Sequence, residues 1–259
     1  MRENSYQKFR GAMAYIEVRD HHGDIGIGSA FHIGSGVYVT ARHVVDKNII
    51  LHISTTESYN VPDDKGNITI HGKEGRFKNI DAKELTIKSG PFYHPDEDVD
   101  VAIFVVEEND NVFVELGGHL NDWIYDAQFL LWPVTIMGYP KIPFSQGPIL
   151  FVSTAEINAV VDKYNGFHPH FIVSSMARAG FSGGLCLIDE NVLGVIVESL
   201  VFDKNPTELG YLSVLTVETI YDCLLKHKIV PKEQENMINL LHIGDSGNVI
   251  SYEEDDKPF

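Results

Sequence analysis

The feature that most constrains this chain is a rhythm. Up to about residue 215, short apolar runs alternate with turn residues, and no long helical period intervenes. Strands are predicted over Ala12 to Val18, Gly26 to Ile33, Gly36 to Thr40, Ile49 to Ser54, Asn67 to Ile70, Glu84 to Lys88 and Val101 to Val106. The second and third pair around Gly34-Ser35-Gly36 as a hairpin. Asp110 to Asp126 is rich in loop residues and joins two halves. A second series follows: Pro133 to Met137, Gly147 to Val161, Phe171 to Ser174, Gly184 to Ile188, Val192 to Leu200 and Leu209 to Val214. Parallel α/β sheets need helices between strands, so this order predicts an all-β barrel or sandwich instead. Only Thr216 to Lys228 carries a helical period, in Val217, Ile220, Tyr221, Leu224 and Leu225, and it stops before Pro231. Met237 to Ile243 is apolar enough to dock, and the ending SYEEDDKPF is acidic.

Charge narrows the partners. Twenty basic residues face 37 acidic ones, a net charge of −17 that would repel a phosphate backbone. Nucleic acid and anionic membrane surfaces are thereby disfavoured, and no apolar stretch is long enough to span a bilayer. The opening MRENSYQKFRGAMAYIEVRD lacks the apolar run of a secretory signal. Cys186 and Cys223 are the only cysteines, too few for a disulfide framework. These features predict a cytoplasmic protein held together by its core.

The strongest local signal is Gly180-Phe181-Ser182-Gly183-Gly184, a serine between glycines. Such a turn exposes a nucleophile and aims backbone N–H groups at a developing oxyanion. It also satisfies the G-x-S-x-G elbow of α/β-hydrolases, but that elbow requires a following helix and a downstream acid and histidine. Here a β-hairpin pattern follows, and the candidates lie upstream. His43 falls just past one predicted strand and Asp100 heads another, with Asp98 two residues away on the same strand face. The order is His, Asp, Ser, separated by 57 residues (43 to 100) and 82 residues (100 to 182).

Four segments together resemble the trypsin-like serine peptidases, with a closer likeness to bacterial domains such as those of the high-temperature-requirement proteases. GSAFHIGSGVYVTARHVV is similar to their glycine-rich hairpin and T-A-x-H segment, DVDVAIF to their aspartate strand, and ARAGFSGG to their nucleophile loop. MGYP is similar to the opening of their second barrel. The resemblance covers about residues 10 to 228 and implies two antiparallel six-stranded barrels of the chymotrypsin type, with a C-terminal helix and tail. Residues 1–122 would form the first barrel, 123–215 the second, and 216–259 the helix and acidic tail.

By that resemblance His43, Asp100 and Ser182 form a catalytic triad, and the amides of Gly180 and Ser182 form the oxyanion hole. The implied activity is serine endopeptidase on a protein or peptide substrate, without metal or organic cofactor. Zymogen-type relatives place an aspartate before the nucleophile to pair with a newly cleaved N-terminus; Phe181 stands there instead. Activity is therefore expected to be restrained by other means, such as a regulatory protein partner. The base of the primary pocket would be Met176, and the strand with Glu198 and Ser199 a pocket wall. Met176 suits an apolar side chain, whereas Glu198 leaves a basic preference open. An alternative reading is a latent or non-catalytic binding module on the same fold, acting within a complex.

Other candidates read as structural. His21, His22 and Asp24 form an exposed turn without a second pair of ligands. His168 and His170 flank Pro169 as loop residues, and Cys186 reads as a buried strand residue. Arg42 and Arg178 stand beside the proposed catalytic residues and either touch substrate or hold the loops.

Overall fold

A computed structural model describes residues 5–55, 58–60, 77–79, 83–107, 112–118, 128–143, 145, 147–162, 168–175, 179–201, 208–235, 242–243 and 250–251. A short helix α1 (Ser5–Phe9) and a 3-10 turn lead into β1 (Met13–Arg19), β2 (Ile25–His32) and β3 (Val37–Thr40). The one-turn helix α2 (Arg42–Val45), β4 (Ile49–Thr55), the small pair β5 (Ser58–Asn60) and β6 (Phe77–Asn79), β7 (Ile87–Tyr93) and β8 (Ala102–Val106) follow. The second half holds β9 (Pro133–Gly138), β10 (Phe151–Asp162), β11 (Pro169–Ser174), β12 (Leu185–Ile188), β13 (Asn191–Val201) and β14 (Glu208–Thr216). Helix α3 (Glu218–His227) and the pair β15 (His242–Ile243) and β16 (Ile250–Ser251) complete the elements.

Both halves are antiparallel and share one strand order. The second closes as a barrel, β10-β11-β14-β13-β12-β9, with β9 pairing back onto β10. The first is a six-stranded sheet, β4-β1-β2-β3-β8-β7. Numbered within each half, both run first, second, third, sixth, fifth, fourth around the ring. The first ring is only pinched shut: Thr55 donates to Lys83 O at 3.0 Å and Leu85 to Ile53 O at 2.9 Å. Beyond that point β7 diverges from β4. Pro91 has no N–H to give, and the β7–β8 register shifts between Ser89 and Phe92. The expected pair of barrels is thus one closed barrel and one half-barrel.

Most predicted strands appear within a few residues of their expected bounds. The Gly34-Ser35-Gly36 turn joins β2 and β3 with positive φ at all three positions, and Val37 N donates to Gly34 O at 2.8 Å. β7 runs on to Tyr93, past the predicted end at Lys88, because the shifted register accommodates Gly90 and Pro91. β10 starts at Phe151 rather than Gly147. The strand predicted over Asn67 to Ile70, most of the joining loop, the apolar run up to Leu241 and the terminal acidic segment lie outside the described residues.

α3 lies against β7, β8 and β14 and buries Ile220, Tyr221, Cys223 and Leu224. It ends at Lys228, whose left-handed φ of 55° lets its N–H reach Leu224 O and Leu225 O. Pro231 then starts a 3-10 turn that delivers Gln234 into the interior. Gln234 Oε1 accepts from Leu116 N at 3.0 Å, and its Nε2 donates to Ile33 O at 2.8 Å and Val114 O at 3.0 Å. Gln234→Ala orphans three buried backbone groups. The expected loss is about 2–4 kcal/mol of unfolding free energy, read as a lower urea midpoint at unchanged slope.

Candidate active site

His43 is the second residue of α2, which starts after the extended Ala41 that links it to β3. Val44 and Val45 are buried beneath the turn, which leaves His43 facing outward with about half its side chain exposed. Asp100 reaches it from the segment before β8 and makes two bonds. The backbone N–H of His43 donates to Asp100 Oδ1 at 2.8 Å, and Nδ1 lies 2.6 Å from Oδ2. An ionised carboxylate cannot donate, so Nδ1 carries the proton and Nε2 keeps its lone pair. Burial alone would lower the His43 pKa. The hydrogen bond and charge of Asp100, joined by the charge of Glu198, outweigh it and hold the pKa above the ordinary 6.5. The backbone N–H of Asp98, the other acid of DVDVAIF, donates to Asp96 Oδ1 at 2.9 Å.

Arg42 braces this arrangement. Its guanidinium lies 4.9 Å from the centre of the Tyr93 ring, donates to Glu97 O at 3.3 Å and pairs with Asp46 at 3.6 Å. It therefore holds the loop that carries Asp100. Arg178 and Met176 lie outside the described residues, as does the side chain of Ser199. Glu198 is half-buried on β13, close enough for its charge to act on His43.

Ser182 is held on a tight loop by backbone bonds at every step. Ala179 O accepts from Lys141 N at 2.8 Å, Gly183 N donates to Ile196 O at 2.7 Å, and Gly184 N donates to Phe181 O at 2.7 Å. Phe181 is buried, edge-on to Phe151 with ring centroids 5.6 Å apart, so an aromatic side chain anchors the loop from below. The hydroxyl of Ser182 donates to Val197 O at 3.4 Å. Val197 immediately precedes Glu198, the residue whose charge acts on His43. Among the described residues, the amides of Gly180 and Ser182 donate to no backbone carbonyl.

The loop is joined to the His43 side by Ser29 of β2, fully buried, which sequence reading passed over as an ordinary strand residue. Its N–H donates to Ser182 O at 2.8 Å and its hydroxyl to Gly180 O at 2.7 Å. The same hydroxyl accepts from Tyr139 N at 2.8 Å, and Ser29 O accepts from the Thr40 hydroxyl at 2.7 Å. Thr40 is the threonine of the T-A-x-H segment, so four bonds connect the histidine segment, the residue that follows β9 and the serine loop. Contact is so close that a Cβ on Gly183 would overlap Ser29 O and the Thr40 hydroxyl. No local pattern marks Ser29; only the pairing of the two halves exposes its role.

Residues 28–195 match the trypsin-like peptidase domain family. The chain belongs to that family. Among solved structures, this trypsin-like peptidase is similar to the active form of the Rv3671c protease from M. tuberculosis, at 17% identity and a TM-score of 0.56. The match covers 86% of this chain and 83% of that one. The inactive form of the same protease matches at 18% identity and a TM-score of 0.53, covering 86% and 91%. The HtrA-type protease AlgW with tripeptide matches at 16% identity and a TM-score of 0.57, covering 87% of this chain but only 62% of AlgW. At these identities the likeness is one of fold. No curated protein matches the chain significantly in sequence.

The remaining sequence candidates separate clearly. His21 and His22 lie against each other, rings tilted, in an exposed turn. His170 is buried and bonds the Ser213 hydroxyl at 2.8 Å, whereas His168 lies against His94. Cys186 and Cys223 are free and buried; burial pushes both thiols up, Cys223 to about 12, so neither is a thiolate near neutral pH. Ser29→Ala removes the hydroxyl and strands Gly180 O and Tyr139 N in a dry seam. Stability should fall by about 2–3 kcal/mol in urea unfolding. Ser29→Thr, which keeps the hydroxyl but adds a methyl group, should fall short of full recovery.

Proposed function

We propose that this trypsin-like peptidase is a serine endopeptidase in which Ser182 is the nucleophile, His43 the general base and Asp100 the group that fixes the imidazole. The observation that carries this reading is the double contact of Asp100 with His43, at 2.6 and 2.8 Å. It sets the tautomer that leaves Nε2 basic toward the serine loop. His43 takes the Ser182 proton as the hydroxyl oxygen attacks the scissile carbonyl, then returns it to the leaving amine. The acyl-enzyme formed is hydrolysed by water through the same base. The N–H groups of Gly180 and Ser182 stabilise the tetrahedral oxyanion, each worth on the order of 3 kcal/mol. Asp100 keeps its charge and stabilises the imidazolium.

The substrate is a protein or peptide, a reading supported by the fold shared with AlgW, whose structures carry a tripeptide and a decapeptide. Met176 and the β13 wall at Glu198 and Ser199 form the primary pocket in this reading. Two free buried cysteines suit a reducing, cytoplasmic setting, and no helix among the described residues is long and apolar enough to cross a membrane.

One observation favours a latent form. The Ser182 hydroxyl is turned to Val197 O, so it must rotate to reach His43. At 3.4 Å that bond is weak, below the strength of an ordinary hydrogen bond of about 1 kcal/mol. Rotation therefore costs little, and activity restrained by a regulatory partner fits better than a dead site.

Hydrolysis of a fluorogenic peptide library tests the reading. Ser182→Ala should abolish turnover, and Asp100→Asn should lower kcat by about 10⁴-fold. Unchanged rates in either variant would overturn the assignment. His43 must be neutral to act, so kcat/KM should fall as pH drops through a midpoint above 6.5. The stability contributed by the His43–Asp100 pair runs the other way. It is fully present below pH 6.5 and fades as pH rises through the raised pKa, which a pH series of unfolding midpoints would read.

A further inference from the structure

We propose that His94, His168 and Asp222 bind one divalent transition-metal ion, Zn²⁺ by ligand type, where the half-barrel, the closed barrel and α3 meet. His94 follows β7, His168 precedes β11 and Asp222 stands on α3. One donor atom from each lies within 4.8 Å of the other two. The His94 and His168 rings meet edge to face with centroids 5.3 Å apart. Residues so far apart in the chain leave no ligand spacing to read in the sequence.

The decisive observation is His94. Only 3% of its side chain is exposed, and its Nε2 has no hydrogen-bond partner. That nitrogen faces Asp222 Oδ2 at 3.7 Å, too far for a hydrogen bond. A simple buried His–Asp pair would close this gap. A metal ion fills it. Tetrahedral zinc with ligands near 2.1 Å sets neighbouring donors about 3.4 Å apart. The cluster therefore needs to contract by up to about 1.4 Å at its widest, within reach of side-chain rotation at the half-buried His168 and Asp222.

The surroundings suit a cation. Asp222, Asp96 and Glu218 all press negative charge on the same spot. His94 Nδ1 lies 3.0 Å from Asp96 N and 3.4 Å from Asp96 O. Without metal, the Asp96 N–H donates to Nδ1 and the ring proton sits on Nε2. With metal on Nε2, the proton moves to Nδ1 and is given to the Asp96 carbonyl, the outer partner that metal-bound histidines use. Binding thus switches the ring tautomer and releases no proton from it.

The site lies on the support of the catalytic loop. His94 N donates to Val101 O at 3.1 Å, and Val101 follows Asp100. His227 Nε2 donates to Tyr93 O at 2.7 Å, which already fastens α3 to the end of β7. A bound ion would add the start of β11 to that clamp.

The test uses full-length protein freed of metal with a chelator, titrated with Zn²⁺ by calorimetry and with Co²⁺ by visible absorption. We expect one ion per chain, four-coordinate Co²⁺ bands, and a thermal midpoint that rises with Zn²⁺. His168→Ala and Asp222→Asn should each weaken binding at least about tenfold and remove the Zn²⁺-dependent rise. His21→Ala with His22→Ala should leave all three readouts unchanged. No binding by the wild type, or binding that survives both His168→Ala and Asp222→Asn, would overturn the site.

Discussion

Ser29 stands at the seam between the two halves, and the geometry of the candidate site rests on its four hydrogen bonds. Its amide and hydroxyl hold Ser182 O and Gly180 O, its hydroxyl also accepts from Tyr139 N, and its carbonyl takes the Thr40 hydroxyl. In a dry interior each of these groups would be costly to leave unpaired, and the network satisfies all of them. The result is a rigid link between the segment that ends at His43 and the loop that carries Ser182. Shifts of one half against the other would break several bonds at once.

Packing, not charge, locks the loop that carries Ser182. Phe181 occupies the position that zymogen-type relatives give to an aspartate, and it buries its ring against Phe151 and Gly138. An anchor of this kind needs no newly made N-terminus to form.

The strand rhythm and the three motif segments were legible in the sequence because they are local. Alternation shows in any short window, and glycines around Ser182 mark a turn wherever they fall. The contact of Asp100 with His43 was legible only as order and spacing, with Asp98 an open alternative; both bonds to His43 come from the Asp100 carboxylate. Ser29, Gln234 and the His94 cluster gave no local signal. Ser29 reaches Gly180, Gln234 reaches Val114 and His94 reaches His168 across more than 70 positions, through pairings that exist only in the folded chain. The half-barrel was hidden for the same reason, since its closure depends on where β7 leaves β4.

The most direct measurement of an activated serine is intact mass after exposure to a fluorophosphonate probe, which phosphonylates a serine only when a neighbouring base raises its nucleophilicity. The account predicts a single adduct on wild-type protein and none on Ser182→Ala. Folded wild-type protein that acquires no adduct, or an adduct that persists in the variant, would contradict it.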